Sequence, residues 1–208
     1  MNKFRFFAML ISLMFFCLIG CKRDNDKSNM DINIGKGDSW ACPKNYGPQL
    51  VIWIEDEAGN YVSTVFVTQK SVKNNFNRPE ALPVWGHKKT NLQNVDAISG
   101  ATSKAPKYQG YIDTDLLTKG NKYKVFLEIN NSFDYNDFWN DKNSGVNGQP
   151  SLIYCGTFTA GQENIIDILS TPVGYGMVDG SNGIITAETD NFTTALKIIN
   201  GAQIKINE

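Results

Sequence analysis

The sequence predicts an all-β fold: an antiparallel β-sandwich of immunoglobulin-like type with long irregular loops. Three observations carry this. Short runs rich in β-branched and aromatic residues recur along the chain, clusters of turn-forming residues separate them, and the first two runs form a well-marked hairpin.

Residues 49–56 read as a strand, because Leu50, Val51, Ile52, Trp53 and Ile54 are mostly β-branched or aromatic. Residues 57–60 form a turn, and residues 61–69 resume the strand composition with Val62, Val65, Phe66 and Val67, which closes the hairpin. Residues 70–95 lose the period, and Pro79, Pro83 and Gly86 indicate an irregular connection with at most one short helix. Its aromatics, Phe76 and Trp85, mark that connection as functional. Residues 108–112 and 123–129 are further strands with a turn at 116–121. Residues 130–139 then interleave Phe133, Tyr135, Phe138 and Trp139 with acids and amides. Residues 141–150 are turn-forming, 151–159 and 164–169 are strands, and 183–188 and 203–207 are weaker ones, with a short helix at 193–199.

The amino terminus sets the compartment. Lys3 and Arg5 precede an apolar run over 6–19 that is too short to span a bilayer, which is the pattern of a secretory signal. Leu18-Ile19-Gly20-Cys21 resembles the lipobox of bacterial lipoproteins, implying a signal peptide over 1–20 and acylation of Cys21, whose chains hold the protein to a lipid bilayer. Residues 22–46 are polar and poor in large apolar side chains, so they are expected to form a flexible tether, and 47–208 a single domain. Lys22 follows the cysteine, in the manner of the sorting rule that favours the outer membrane, while Lys22-Arg23-Asp24-Asn25-Asp26 alternatively resembles a surface-export signal. The expected location is therefore the bacterial cell envelope, outside the cytoplasm.

The full chain carries a formal charge of −1, and loss of Lys3 and Arg5 with the signal leaves −3, so no basic field draws in nucleic acid. Cys17 leaves with the signal. Cys42 and Cys155 either pair as a disulfide or stay apart, with Cys155 buried in its strand, and spacing does not choose between these. No spacing suggests a metal cluster. Asp134, Asn136, Asp137 and Asp141 do not follow the calcium-loop template and read as a solvated loop. The single histidine, His87, lacks an accompanying nucleophile-elbow sequence, so no catalytic residue is assigned and no enzymatic activity is expected.

Asp96-Ala97-Ile98-Ser99-Gly100-Ala101-Thr102 admits two readings. It makes a tight turn in which Asp96 and Ser99 bond nearby amides, or it is a modification site. It resembles the acceptor at which bacterial flavin transferases attach FMN to a threonine through a phosphoester. That resemblance implies Thr102 as the acceptor, Asp96 and Ser99 as residues recognised by the transferase, and Gly100 and Ala101 as small neighbours that leave the hydroxyl open. Lys104 stands where flavinylated domains of quinone reductases usually have a second hydroxyl, with Ser103 one place earlier. Trp85, Tyr135, Phe138 and Trp139 are candidate surfaces for the isoalloxazine ring, and Lys104, Lys88 and Lys89 candidate charges near it.

With the strand at 51–56, the tryptophan loop before 96–102 and the strand at 123–130 entering Asn-Ser-Phe-Asp-Tyr, residues 49–159 resemble a bacterial secreted family known as domain of unknown function 2271. The resemblance implies a β-sandwich with flavin transferases and membrane redox proteins as partners. The expected function is that of a lipid-anchored extracytoplasmic protein of an electron-transfer system, carrying covalent FMN. The alternative is a non-catalytic binding module that presents Trp85 and the patch of Phe133, Tyr135, Phe138 and Trp139 to a carbohydrate or protein partner.

Overall fold

The computed structural model describes residues 27–41, 44, 47–68, 78–89, 99–100, 107–162, 164–168 and 170–207. In chain order the strands are β1 (Lys27–Lys36), β2 (Gln49–Asp56), β3 (Tyr61–Thr68), β4 (Ser99–Gly100), β5 (Lys107–Asp113), β6 (Lys122–Asn130), β7 (Leu152–Thr159), β8 (Ile165–Ile168), β9 (Gly174–Tyr175) and β10 (Ile199–Asn207). Two short helices, α1 (Pro83–Lys88) and α2 (Asp141–Ser144), lie in the connections. The strands form a four-stranded sheet, β5-β1-β10-β8, and a six-stranded sheet, β4-β3-β2-β6-β7-β9. Pairing is antiparallel except for the two-residue β4, which runs parallel to β3. The sheets pack face to face as a sandwich, as the strand spacing predicts.

Alternation places the core. On the four-stranded sheet Met30, Ile32, Ile34, Ile112, Ile166 and Ile204 point inward, while the intervening Asp31, Asn33 and Gln109 stay outside. They meet Leu50, Ile52, Ile54, Leu127, Ile129 and Tyr154 of the six-stranded sheet. Gly110 marks the closest approach of the two sheets at this edge: a Cβ there would lie 2.7 Å from Val65 Cγ1 and 2.8 Å from Ile32 Cδ1. The six-stranded sheet is also covered outside. Val51, Trp53, Val67, Phe126 and Ile153 form a second cluster with Leu82, Val84 and Trp85 of the α1 segment. Strands buried on both faces read as continuous apolar runs rather than alternating ones, which accounts for the unbroken Leu50 to Ile54.

Three expectations need correction. The tether reading of 22–46 fails from Lys27 onward: β1 pairs with β10 from Asn29↔Asn207 to Lys36↔Ile199 and with β5 from Lys27↔Asp113 to Asn33↔Lys107, inside the four-stranded sheet. Met30, Ile32 and Ile34 bury one face of an otherwise polar segment, and that face suffices. The weak strand at 183–188 is not formed, although Thr186 makes an isolated bridge to Tyr175. The helix at 193–199 shrinks to a 3₁₀ turn at Ala195–Lys197, with Ile199 opening β10.

The sandwich has two unlike ends. One holds the β2–β3 turn, where Gly59 takes φ +86°. At the other, β2 and β7 begin while β3 and β6 finish. Tyr108 packs on Phe66 with ring centroids 4.6 Å apart and Gly110 faces Val65, so β5 enters at this second end, and by its register with β1, Lys36 lies there and Lys27 at the hairpin end. The 131–150 connection caps the second end, which also receives Ser39, whose carbonyl accepts from Asn131 Nδ2 at 2.6 Å.

Candidate functional site

The 131–150 cap is held by side-chain amides. Phe133 adopts φ +64°, a conformation that costs a non-glycine residue of order 1 kcal/mol or more, with its amide donating to Val146 O at 2.9 Å and Lys44 Nζ lying 3.6 Å from its ring centroid. The Asp134 carboxylate is buried and accepts from Gln149 Nε2 at 2.9 Å and from the Thr194 hydroxyl. Burial pushes its pKa up, and those two hydrogen bonds pull against the shift. Gln149 Oε1 accepts from the Thr193 amide at 2.7 Å, joining the cap to the segment before β10. A second hub lies beside it. Arg78 donates to Ser132 Oγ at 2.6 Å and to Asn147 Oδ1 and pairs with Glu80 at 3.1 Å, while Asn147 Nδ2 donates to Glu80 O at 2.7 Å.

Asn136 organises the exposed part. Its Oδ1 accepts from the amides of Phe138 at 3.0 Å and Trp139 at 2.7 Å, and its Nδ2 donates to Asn191 O at 2.9 Å and Thr193 Oγ1 at 3.2 Å. A groove of about 440 Å³ results, lined by Asn136, Asp137, Phe138, Asp190, Asn191 and Thr193. Trp139 is 9% exposed and packs on Phe192 and Tyr175, while Phe138 meets it edge-on at 4.8 Å and remains 49% exposed. Tyr135, 39% exposed, donates its hydroxyl to Gly145 O at 3.0 Å.

Of the residues singled out by sequence, Phe133, Tyr135, Phe138 and Trp139 share this end, and Ser99 and Gly100 form β4 against Val67 and Thr68 at the same end. Cys21, Cys42, Asp96, Ala101, Thr102 and Lys104 lie outside the described residues. Trp85 is not an open surface: it is 1% exposed, its Nε1 donates to Thr64 Oγ1 at 2.8 Å, and Lys89 Nζ covers its ring at 4.1 Å. Lys88 sits at the hairpin end, bonded to Glu55 Oε2 at 3.1 Å and Gly59 O at 3.2 Å. Trp85 therefore offers no open ring face to a flavin, since α1 seals the outer sheet face. Cys155 is half-buried there as a free thiol, its pKa raised mainly by burial. Sequence reasoning missed Gln149, Asp190, Asn191 and Thr193, and also Glu128. The Glu128 carboxylate lies beneath α1, accepting from the Val84 amide at 3.2 Å, the Trp85 amide at 2.9 Å and Ser151 Oγ at 2.7 Å, and burial pushes it up to about 7.

An antiparallel β-sandwich with an amide-braced, aromatic cap at one end is thus the class of protein defined by fold and site. Residues 39–131 match a family model described as "Predicted periplasmic protein (DUF2271)", the family that the sequence resembles. The match begins earlier than the resemblance over 49–159 and ends before Phe133, so the aromatic patch falls outside it. That description is consistent with a location outside the cytoplasm. Neither a curated protein nor a solved structure matches the chain.

Proposed function

We propose that the protein is a lipid-anchored electron carrier of the cell envelope, held at the outer membrane by acylated Cys21 and carrying FMN on Thr102 as a phosphoester. The observation that carries the reading is the position of Ser99 and Gly100: the start of the small-residue run is the edge strand of the six-stranded sheet, at the end that bears the exposed rings of Tyr135 and Phe138. An edge strand is where a modifying enzyme meets backbone that has no second strand beside it. The bound flavin would supply reversible electron transfer, and the chain's own residues anchor and shield it. A flavin transferase and membrane redox proteins are the implied partners. Intact-mass measurement of protein co-expressed with a flavin transferase tests this. The expected result is a yellow protein heavier by one FMN less water, and an unmodified Thr102→Ala variant. An unmodified wild-type chain, or a Thr102→Ala variant that still gains the mass, overturns it.

A second reading, a binding module for a carbohydrate or protein partner, is favoured by the groove beside Phe138. Colourless protein whose tryptophan fluorescence responds to glycans supports it.

A further inference from the structure

We infer that the groove between Phe138 and Asp190–Asn191–Thr193 is a subsite for an uncharged sugar ring. The inference rests on the recognition reading and assigns it a place and a ligand. It also brings in residues of the C-terminal segment that neither the sequence motifs nor the family match touches.

The groove volume of about 440 Å³ falls within the range of roughly 300–1,000 Å³ typical of small-ligand pockets. The walls are fixed before any ligand arrives: Asn136 ties Phe138 and Trp139 on one side to Asn191 and Thr193 on the other, and Gln149 ties Thr193 to the buried Asp134. A site already ordered spends little of its interaction energy on immobilising its own side chains.

The polar tips facing the groove are unclaimed. Among the described residues, the side chains of Asp137, Asp190 and Asn191 make no hydrogen bond, whereas the neighbouring Asn136 and Gln149 are fully engaged. Carboxylate and amide oxygens in open positions accept from vicinal hydroxyls, the Asn191 amide donates to a ring or hydroxyl oxygen, and the half-exposed Phe138 ring offers a face to the C–H side of a pyranose. Among the described residues, no lysine or arginine lines the groove. Two carboxylates without a cation repel uronates, sialic acids and phosphosugars, so the charge pattern selects a neutral glycan.

The test uses the full-length protein purified in a non-glycosidic detergent. It is probed on an array of neutral gluco-, manno- and xylo-oligosaccharides beside uronate oligomers, and retained sugars are titrated by calorimetry. Neutral oligosaccharides are expected to bind, Phe138→Ala and Asp190→Asn each to weaken binding at least tenfold, and Leu116→Ala, at an exposed position outside the groove, to leave it unchanged, with all variants melting as the parent does. Neutral binding that survives both groove variants overturns the groove assignment while the recognition reading stands. A preference for uronates overturns the charge argument and with it the proposal. An array that retains nothing overturns the proposal and the carbohydrate side of the recognition reading together.

Discussion

The two sheets of the sandwich treat their outer faces in opposite ways. The four-stranded sheet leaves its outer face in water, where Asp31 accepts from Gln109 and from Asn207 Nδ2 at 3.0 Å and Gln203 donates to Asp167 at 3.0 Å. The six-stranded sheet carries Trp53 stacked on Phe126, with centroids 5.1 Å apart, beneath Leu82, Val84 and Trp85. The covered face also buries Glu128, because the first amides of α1 have no partner within the helix and a carboxylate supplies one. The lesson is that the α1 segment is a structural lid on the sheet, stabilised by apolar area at some electrostatic cost.

Removing the lid's largest side chain breaks the contrast most severely. Trp85→Ala is expected to cost about 3–5 kcal/mol, as for other buried aromatics, read by urea denaturation; a loss below about 1 kcal/mol would show that the outer cluster contributes little. The electrostatic cost comes next. Glu128 holds its proton up to about 7 in the folded state against an ordinary value of 4.5, so between those values the native state binds more protons than the unfolded chain. The contribution of Glu128 to stability is then greatest below pH 4.5 and falls as pH rises through 7, by about 3 kcal/mol, with Asp134 adding the same sign. Denaturation at pH 5 and pH 8 should show the fall, and Glu128→Gln should remove most of it. At the sandwich seam, Gly110→Ala forces a methyl against Val65 and Ile32 and should cost about 1–3 kcal/mol, read as a lowered melting temperature. On the bare face, Gln109→Ala should stay within about 0.5 kcal/mol of the parent, and a larger loss would show that the solvated rungs of this sheet do more than they expose.

The same contrast explains what was legible in the sequence. Strands β2, β3, β6 and β7 are readable because their apolar side chains are contiguous and turns bound them. β1 hides in a polar segment: its three inward residues alternate, yet it acquires meaning only from β5 and from β10, the latter more than 160 residues later. Trp85 reads as an exposed loop aromatic because an irregular, proline-containing stretch gives no sign that a sheet face awaits cover. The patch around Phe138 is visible as composition. Its opposite wall is not, because Asn191 and Thr193 reach Asn136 through backbone and hydroxyl bonds that leave no local pattern.

The direction of β1 fixes how such a molecule would stand on a membrane. Cys21 precedes Lys27 by six positions, a span of at most about 20 Å, whereas the ten residues of β1 rise by about 30 Å away from that point. Were Cys21 acylated as proposed, the hairpin pole would lie nearer the lipid headgroups and the aromatic pole farther from them. Neutron reflectometry on the tethered protein should find its mass packed close against the bilayer. Whatever docks at the aromatic pole, whether an electron-transfer protein or a glycan, then approaches from the side facing away from the anchoring leaflet.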